Sequence, residues 1–290
     1  MSVLRLLSFM RKNMKKFIVI AAIIILSCVA CLYWSNNSLT VSRHVVSPEN
    51  LPESFNGYRI VQISDLHNKD FSGRLSAKIA ELEPDIIVIT GDILDSYHTK
   101  SEIAENFVEE IIQIAPVYYV TGNHENRIDE YSEFRKALEN LGVTVLDGRT
   151  VTIEKGSEEI CLAGIDDLSF YGSSVLGENE ILFEEKLQSL AAEKGDRTGI
   201  LLSHRPELFD IYADCGFDLV FSGHAHGGQI RLPFIGGIFA PGQGFFPEYD
   251  AGIFQSGKTS MIVSRGLGNS LFPFRIGNRP EIIVCELRVK

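Results

Sequence analysis

Five times along this chain a short apolar run, rich in β-branched residues, stops at a cluster of Asp, His or Asn side chains. The run 60–64 leads into Asp65-Leu66-His67, and 86–90 leads into Gly91-Asp92. The run 118–121 leads into Gly122-Asn123-His124-Glu125, 200–203 into His204, and 219–222 into Gly223-His224-Ala225-His226. In α/β sheets, ligand sites form beyond the carboxyl ends of strands, where loops converge. Strands that all end this way predict one polar site along one sheet edge. Singly, each piece has an ordinary reading: Asp65 as a helix cap, Gly91-Asp92 as a turn, His204 as a hydrogen-bonded histidine. Their joint recurrence after apolar strands selects the common site.

The residue types point to metal binding. Divalent transition ions take imidazole nitrogen and carboxylate oxygen readily. In Asp-x-His and His-x-His the two side chains straddle one residue. On extended backbone they point the same way, toward one ion or two adjacent ions. Glycines 91, 122 and 223 let the chain turn and approach the ions without a Cβ clash. Two ions about 3.5–4 Å apart need a bridging oxygen, and Asp92 is the natural candidate. Mixed nitrogen and oxygen donors suit Mn, Fe and Zn alike, so the metal stays open.

Around these clusters, apolar periodicity predicts strands at 59–63, 85–90, 117–121, 143–146, 151–154, 160–163, 198–203, 219–222, 260–264 and 282–287. Amphipathic helices are expected at 73–82, 101–114, 129–140 and 180–194. No repeat or low-complexity tract interrupts the pattern. One α/β domain over 57–290 with two β-rich halves is the expectation.

The N-terminus differs. Residues 17–34 carry no charge, and as a helix they span about 27 Å, close to the ~30 Å hydrocarbon core. Tyr33 and Trp34 stand at the far end, where amphipathic rings prefer the interface. Residues 1–16 form a basic segment, with Arg5, Arg11, Lys12, Lys15 and Lys16 and no acid. Such a segment stays in the cytoplasm, which sets the rest of the chain outside the cell membrane. A cleaved signal peptide shares this order, and 25–28 faintly resembles a lipoprotein processing site. No small-x-small cleavage site follows, however, and the apolar run is longer than most signal cores. The expectation is a retained single-pass anchor, then a polar stalk over 35–56 containing Pro48 and Pro52.

The net charge of −11 argues against non-specific nucleic-acid binding, which needs a basic surface. The carboxylate surplus suits a domain that holds cations. Cys161, Cys215 and Cys285 sit among apolar neighbours and read as buried thiols.

The ordered set Asp-x-His, Gly-Asp, Gly-Asn-His-Glu, His and Gly-His-x-His resembles that of the calcineurin-like metallophosphoesterases, over roughly residues 58–287. The resemblance implies a four-layer α/β/β/α sandwich behind one transmembrane helix, with a dinuclear site. It implies that Asp65, His67 and His226 hold one divalent metal ion. Asp92 would bridge to a second, held by Asn123, His204 and His224. His124 would stand outside the metal shell, stabilising charge or protonating the leaving group, while a metal-activated hydroxide attacks phosphorus. The stretch GHAHGGQIRLP at 223–233 and Asn278-Arg279-Pro280-Glu281 are similar to the bacterial membrane-associated, YkuE- and YaeI-like branch. Some relatives of that branch cleave a pyrophosphate in a lipid precursor, UDP-diacylglucosamine. The resemblance therefore implies a phosphorylated small molecule or lipid as substrate. Rival readings are a phosphoprotein phosphatase and a catalytically silent module of the same fold.

Other residues carry weaker signals. Asp166 and Asp167 follow a strand and are candidates to orient a ligand histidine. Arg265, Arg275 and Arg279 are candidates to pair with substrate phosphate. His98 is expected in solvent. Phe245, Phe246, Phe272 and Phe274 are candidates for an apolar lip or a bilayer-facing surface, against ordinary core packing.

Overall fold

The computed structural model describes residues 3–172, 178–269 and 272–290; residues 1 and 2 of the basic segment lie outside the described residues. Helix α1 (Val3–Asn37) contains the uncharged run. Its portion Asn13–Asn37 is long and apolar enough to cross a membrane, and none of its apolar window is buried against the domain.

Residues 35–56, expected as a stalk, instead contain strand β1 (Thr40–Val46). Its sequence TVSRHVV is dense in β-branched residues, which fit a pleated surface. It pairs in parallel with the last strand of the chain, Thr40 opposite Glu281 through Val46 opposite Leu287. Helix and sheet are therefore joined by Ser38 and Leu39 alone.

Strands and helices then alternate: β2 (Arg59–Ile63), α2 (Arg74–Ala80), β3 (Ile86–Thr90), α3 (Ser101–Ile111), β4 (Val117–Val120), α4 (Tyr131–Leu141) and β5 (Thr144–Val145). A second series follows with β6 (Arg149–Lys155), β7 (Glu158–Gly164), α5 (Glu178–Lys194), β8 (Gly199–Leu202), α6 (Phe209–Asp214) and β9 (Leu219–Ser222). Four two-residue strands come next: β10 (Arg231–Leu232), β11 (Gly236–Gly237), β12 (Phe239–Ala240) and β13 (Gly244–Phe245). The chain ends with β14 (Gly252–Ser256), β15 (Thr259–Val263) and β16 (Glu281–Leu287).

Among the described residues these strands form two six-stranded sheets, β1-β16-β2-β3-β4-β5 and β14-β15-β9-β8-β7-β6. Within the first, β2 through β5 run parallel; within the second, β7, β8, β9 and β15 do. Each parallel set therefore delivers its carboxyl ends to one edge.

Side-chain alternation builds the layers. In β3, Ile86 and Val88 enter a core between the sheets, while Ile87 and Ile89 pack with Ile79 of α2, Val108 of α3 and Leu138 of α4. In β8, Ile200 and Leu202 join the inter-sheet core, and Leu201 meets Leu187 of α5 and Phe209 of α6. A strand buried on both faces must be apolar throughout, so these segments read as unbroken apolar runs. The result is the expected α/β/β/α sandwich.

Phe221 of β9 is fully buried in the inter-sheet core. Phe221→Ala is expected to lower unfolding stability by about 3–5 kcal/mol. Urea denaturation of the detergent-solubilised chain checks this; a loss under about 1 kcal/mol would show that the layers do not depend on that contact.

Candidate metal centre

The loops after the parallel strands are stitched together by main-chain hydrogen bonds. The Asp65 N–H donates to the Gly91 carbonyl (3.0 Å) and the His67 N–H to the Asp92 carbonyl (3.1 Å). Across the sandwich, the His224 N–H donates to both carboxylate oxygens of Asp65, at 3.1 and 3.2 Å. The His124 N–H donates to Asp92 Oδ1 at 2.8 Å. Two glycines permit this closeness. A Cβ on Gly122 would collide with the Asp92 carboxylate, and one on Gly223 with Ser64 Oγ and Asp65.

The sequence-predicted donors converge. Asp65, His67, Asp92 and His226 each present a ligating atom within 4.8 Å of the others, and so do Asp92, His204 and His224. Asp92 belongs to both groups. His67 Nε2 and His226 Nε2 face each other at 3.3 Å, and His226 Nε2 lies 3.4 Å from Asp65 Oδ1. In the second group His204 Nε2 is 3.3 Å from Asp92 Oδ2 and 3.1 Å from His224 Nδ1. The His204 Nδ1–H donates to the Thr90 carbonyl at 2.7 Å, which turns Nε2 inward. Asn123 lines the same cleft, and its buried Oδ1 has no hydrogen-bond partner among the described residues.

The backbone differs from the extended geometry expected for Asp-x-His and His-x-His. Asp65 (φ 51°), His67 (φ 47°), Asp92 (φ 50°), His224 (φ 62°) and His226 (φ 49°) all occupy the left-handed region. Non-glycine residues rarely adopt it, and its cost is of order 1–3 kcal/mol each. Such strain persists only where the surrounding structure fixes it, here the hydrogen bonds just described.

Electrostatics supports a cation. Asp65, Asp92 and Glu125 are buried together. Burial raises Asp65 to about 6, with His204 opposing. Burial also acts against charge on Asp92, yet His204, His67 and His124 hold it well below the usual carboxylate range. Although burial works to lower His204, the Asp92 and Asp65 carboxylates push it up to about 10. Burial depresses His67 to about 4 and carries His224 and His226 well below the imidazole range. Neutral imidazoles turned toward buried carboxylates, together with the unpartnered Asn123 Oδ1, fit divalent ions with mixed N and O donors.

Supporting groups surround the donors. Glu125 accepts N–H bonds from Asp92 (2.9 Å), Leu94 (3.0 Å) and Gly122 (2.7 Å), fixing the two loops that carry Asp92 and Asn123. His124 Nδ1 accepts the Ser96 N–H at 3.0 Å and lies 3.6 Å from Asp95 Oδ1. Asp92, Tyr97, His124, Arg127 and Arg205 line a cleft of about 230 Å³. Asp95, Tyr97, Arg127 and Arg205 escaped the sequence reading; the signal available for Asp95 was its place three residues after Asp92.

Asp167 does not orient a histidine. It pairs with Arg205 through two hydrogen bonds (2.8 and 3.0 Å), which outweigh burial and keep its carboxyl below the ordinary range. Asp166 accepts the Thr121 hydroxyl instead (3.2 Å). The three C-terminal arginines also miss the cleft. Arg265 pairs with Glu281, Arg275 is buried against the carbonyls of Gly268 and Arg265, and Arg279 lies over Trp34 at 4.6 Å. Asn278 donates to the His226 carbonyl at 2.7 Å, which gives the 278–281 motif a structural part in the site. His98 is exposed, as expected. The four phenylalanines are exposed too, so core packing is excluded for them.

Residues 58–228 match the family described as calcineurin-like phosphoesterase. A metallophosphoesterase of Bacillus subtilis (strain 168), YkuE, is 32% identical over 266 residues, 88% of this chain and 88% of the relative. Phosphodiesterase YaeI of Escherichia coli (strain K12) is 27% identical over 238 residues, 79% of this chain and 82% of its own. A transmembrane protein with metallophosphoesterase domain from Danio rerio is 30% identical over 83% of this chain and 55% of its own. Among solved structures, TT1561 of Thermus thermophilus shares the fold, with TM-score 0.51 and 16% identity over 73% of this chain and 91% of that one.

Asp92→Asn removes the charge common to both donor groups. Its metal affinity is expected to fall at least about 10–100-fold, the loss that even an outer hydrogen-bond partner produces. Elemental analysis after equilibrium dialysis reads this out; unchanged metal content would remove Asp92 from the ligand set.

Proposed function

Because the chain belongs to the calcineurin-like phosphoesterase family, hydrolases of phosphoester bonds, we propose that it is a membrane-anchored metallophosphoesterase working at a dinuclear centre. One divalent ion would be held by Asp65, His67 and His226. A second would be held by Asn123, His204 and His224, with Asp92 common to both donor groups. When bound, the ions supply Lewis-acid activation of water and neutralise phosphoryl charge. The observation that carries this reading is the convergence of the two donor groups on Asp92.

The chain's own residues do the rest. His124 Nδ1 is occupied by the Ser96 N–H, so the proton of the neutral ring sits on Nε2. From there the neutral ring donates a hydrogen bond that stabilises charge developing on the phosphoryl or departing oxygen, without giving up its proton. Arg205, fixed by Asp167, and Arg127 offer guanidinium donors that match phosphoryl oxygens. A module that merely bound a phosphorylated ligand would not require a donor to stabilise a departing oxygen.

The finer reading is a phosphate ester or pyrophosphate bond in a substrate found near membranes, a lipid-linked one included. It is supported by α1 and by the likeness to transmembrane relatives. The basic segment orients the amino terminus to the cytoplasm and the catalytic domain outward. A reporter fused to the C-terminus that is active only in the cytoplasm would overturn that orientation.

Full-length protein reconstituted with manganese, iron or zinc is expected to hydrolyse at least one of a generic phosphomonoester, phosphodiester or pyrophosphate. His124→Gln is expected to keep its metal while turnover falls about 10²–10⁴-fold. Undiminished turnover would remove the charge-stabilising role of His124.

A further inference from the structure

The face beside the metal cleft is apolar and unpartnered. Residues 232–246 contain no charged side chain. Phe234 is fully exposed, Phe245 is 74% and Phe246 67% exposed, and Ile235, Phe272 and Phe274 are exposed as well. Phe234 (φ 69°) and Phe246 (φ 56°) adopt left-handed backbone, an unfavourable conformation for bulky residues, while both side chains stand in the open.

These loops form one surface. Ile230 bridges Ile276, the Arg231 N–H donates to the Ile276 carbonyl (2.9 Å), and Gln229 Nε2 donates to the Phe272 carbonyl (2.6 Å). The same surface borders the site, because Pro241 and Gly242, between β12 and β13, line the cleft with His124 and His226.

What covers this face follows from where α1 ends. Asn36, in the last turn of α1, donates to the Arg275 carbonyl (3.1 Å) and accepts the Arg275 N–H (2.9 Å), directly after Phe274. The neighbouring carbonyls are capped by the domain: Lys69 donates to Asn36, Arg74 to Asn37 and Arg279 to Ser38. With two residues between α1 and β1, the domain cannot lift away from the end of the helix. The surface around Asn36 therefore lies at the bilayer boundary, where uncharged aromatic side chains partition favourably.

We propose that the loops 232–246 and 272–276 dock into the bilayer that α1 crosses, holding the mouth of the metal cleft at headgroup level. This rests on the anchor reading of α1 and is independent of catalysis. Contiguous exposed apolar area of this kind on a soluble face marks an interaction site, and its continuity with the end of α1 selects lipid over protein. The arrangement favours phosphoesters carried in the membrane over those dissolved beside it.

The test uses the full chain in phosphatidylcholine nanodiscs, with and without acyl chains brominated near the headgroup. Trp34 is the single tryptophan, so quenching of the wild type reports α1. In a Trp34→Phe background, Phe246→Trp and Phe234→Trp are measured separately, with Lys258→Trp on the β14–β15 turn as reference. A docked rim lies about 5–10 Å into the headgroup–acyl boundary, so both rim variants are expected to lose roughly half their emission. The Lys258→Trp reference is expected to lose none. Quenched Trp34 with unquenched rim positions overturns the docking and leaves the anchor intact. Blue-shifted but unquenched rim emission assigns the face to another protein and also overturns it. Unquenched Trp34 removes the anchor, and the docking with it.

Discussion

Two carboxylates, those of Asp65 and Asp92, are buried beside Glu125, whose own carboxyl is pushed up to about 8 by burial, and everything around them follows from the need to balance the charge of that pair. Ionised groups removed from water are strongly destabilising unless paired. Here the partners are imidazoles, mostly driven toward neutrality by burial, with His204 held protonated by the same acids. A divalent cation at the meeting of the donor groups would balance that charge directly, where a proton on one ring reaches it from one side. The centre therefore suits a charge supplied from outside the chain.

The sandwich makes such a site sustainable. Strand ends from both sheets supply the donors, and the apolar layers behind them hold the loops rigid. Left-handed backbone at Asp65, His67, Asp92, His224 and His226 would relax in an isolated loop. Here Glu125 binds three N–H groups of the loops after β3 and β4, and Asp65 receives His224 from the opposite sheet. Positioning of the donors is therefore a property of the two sheets together.

Much of this was legible in the sequence because burial on both faces forces unbroken apolar strands, and donors at their ends stand out. β2 and β9 lie at their expected bounds, and the helices within a few residues of theirs. What escaped reading had a physical cause. Strand β1 lies in a polar stretch and becomes a strand only by pairing with β16, at the far end of the chain. Helix α6 has six residues, too few to show a period. The pairing of Asp167 with Arg205, and the closure of Arg275 on main-chain carbonyls, depend on contacts between distant segments that no local pattern records. The left-handed ligand backbone was also hidden, since these residues are not glycines.

The same long-range pairing joins the apolar helix to the enzyme domain. Because β1 closes the sheet two residues after α1, the apolar helix is an extension of the metallophosphoesterase domain, with the carbonyls of Asn36, Asn37 and Ser38 capped by Lys69, Arg74 and Arg279. The central claim, however, is the pair of ions. Anomalous diffraction at the manganese edge, from crystals of the full chain grown with manganese, tests it most directly. The account predicts two peaks about 3.5–4 Å apart, one against Asp65, His67 and His226 and the other against Asn123, His204 and His224. No peak there, or a lone peak remote from Asp92, would contradict it.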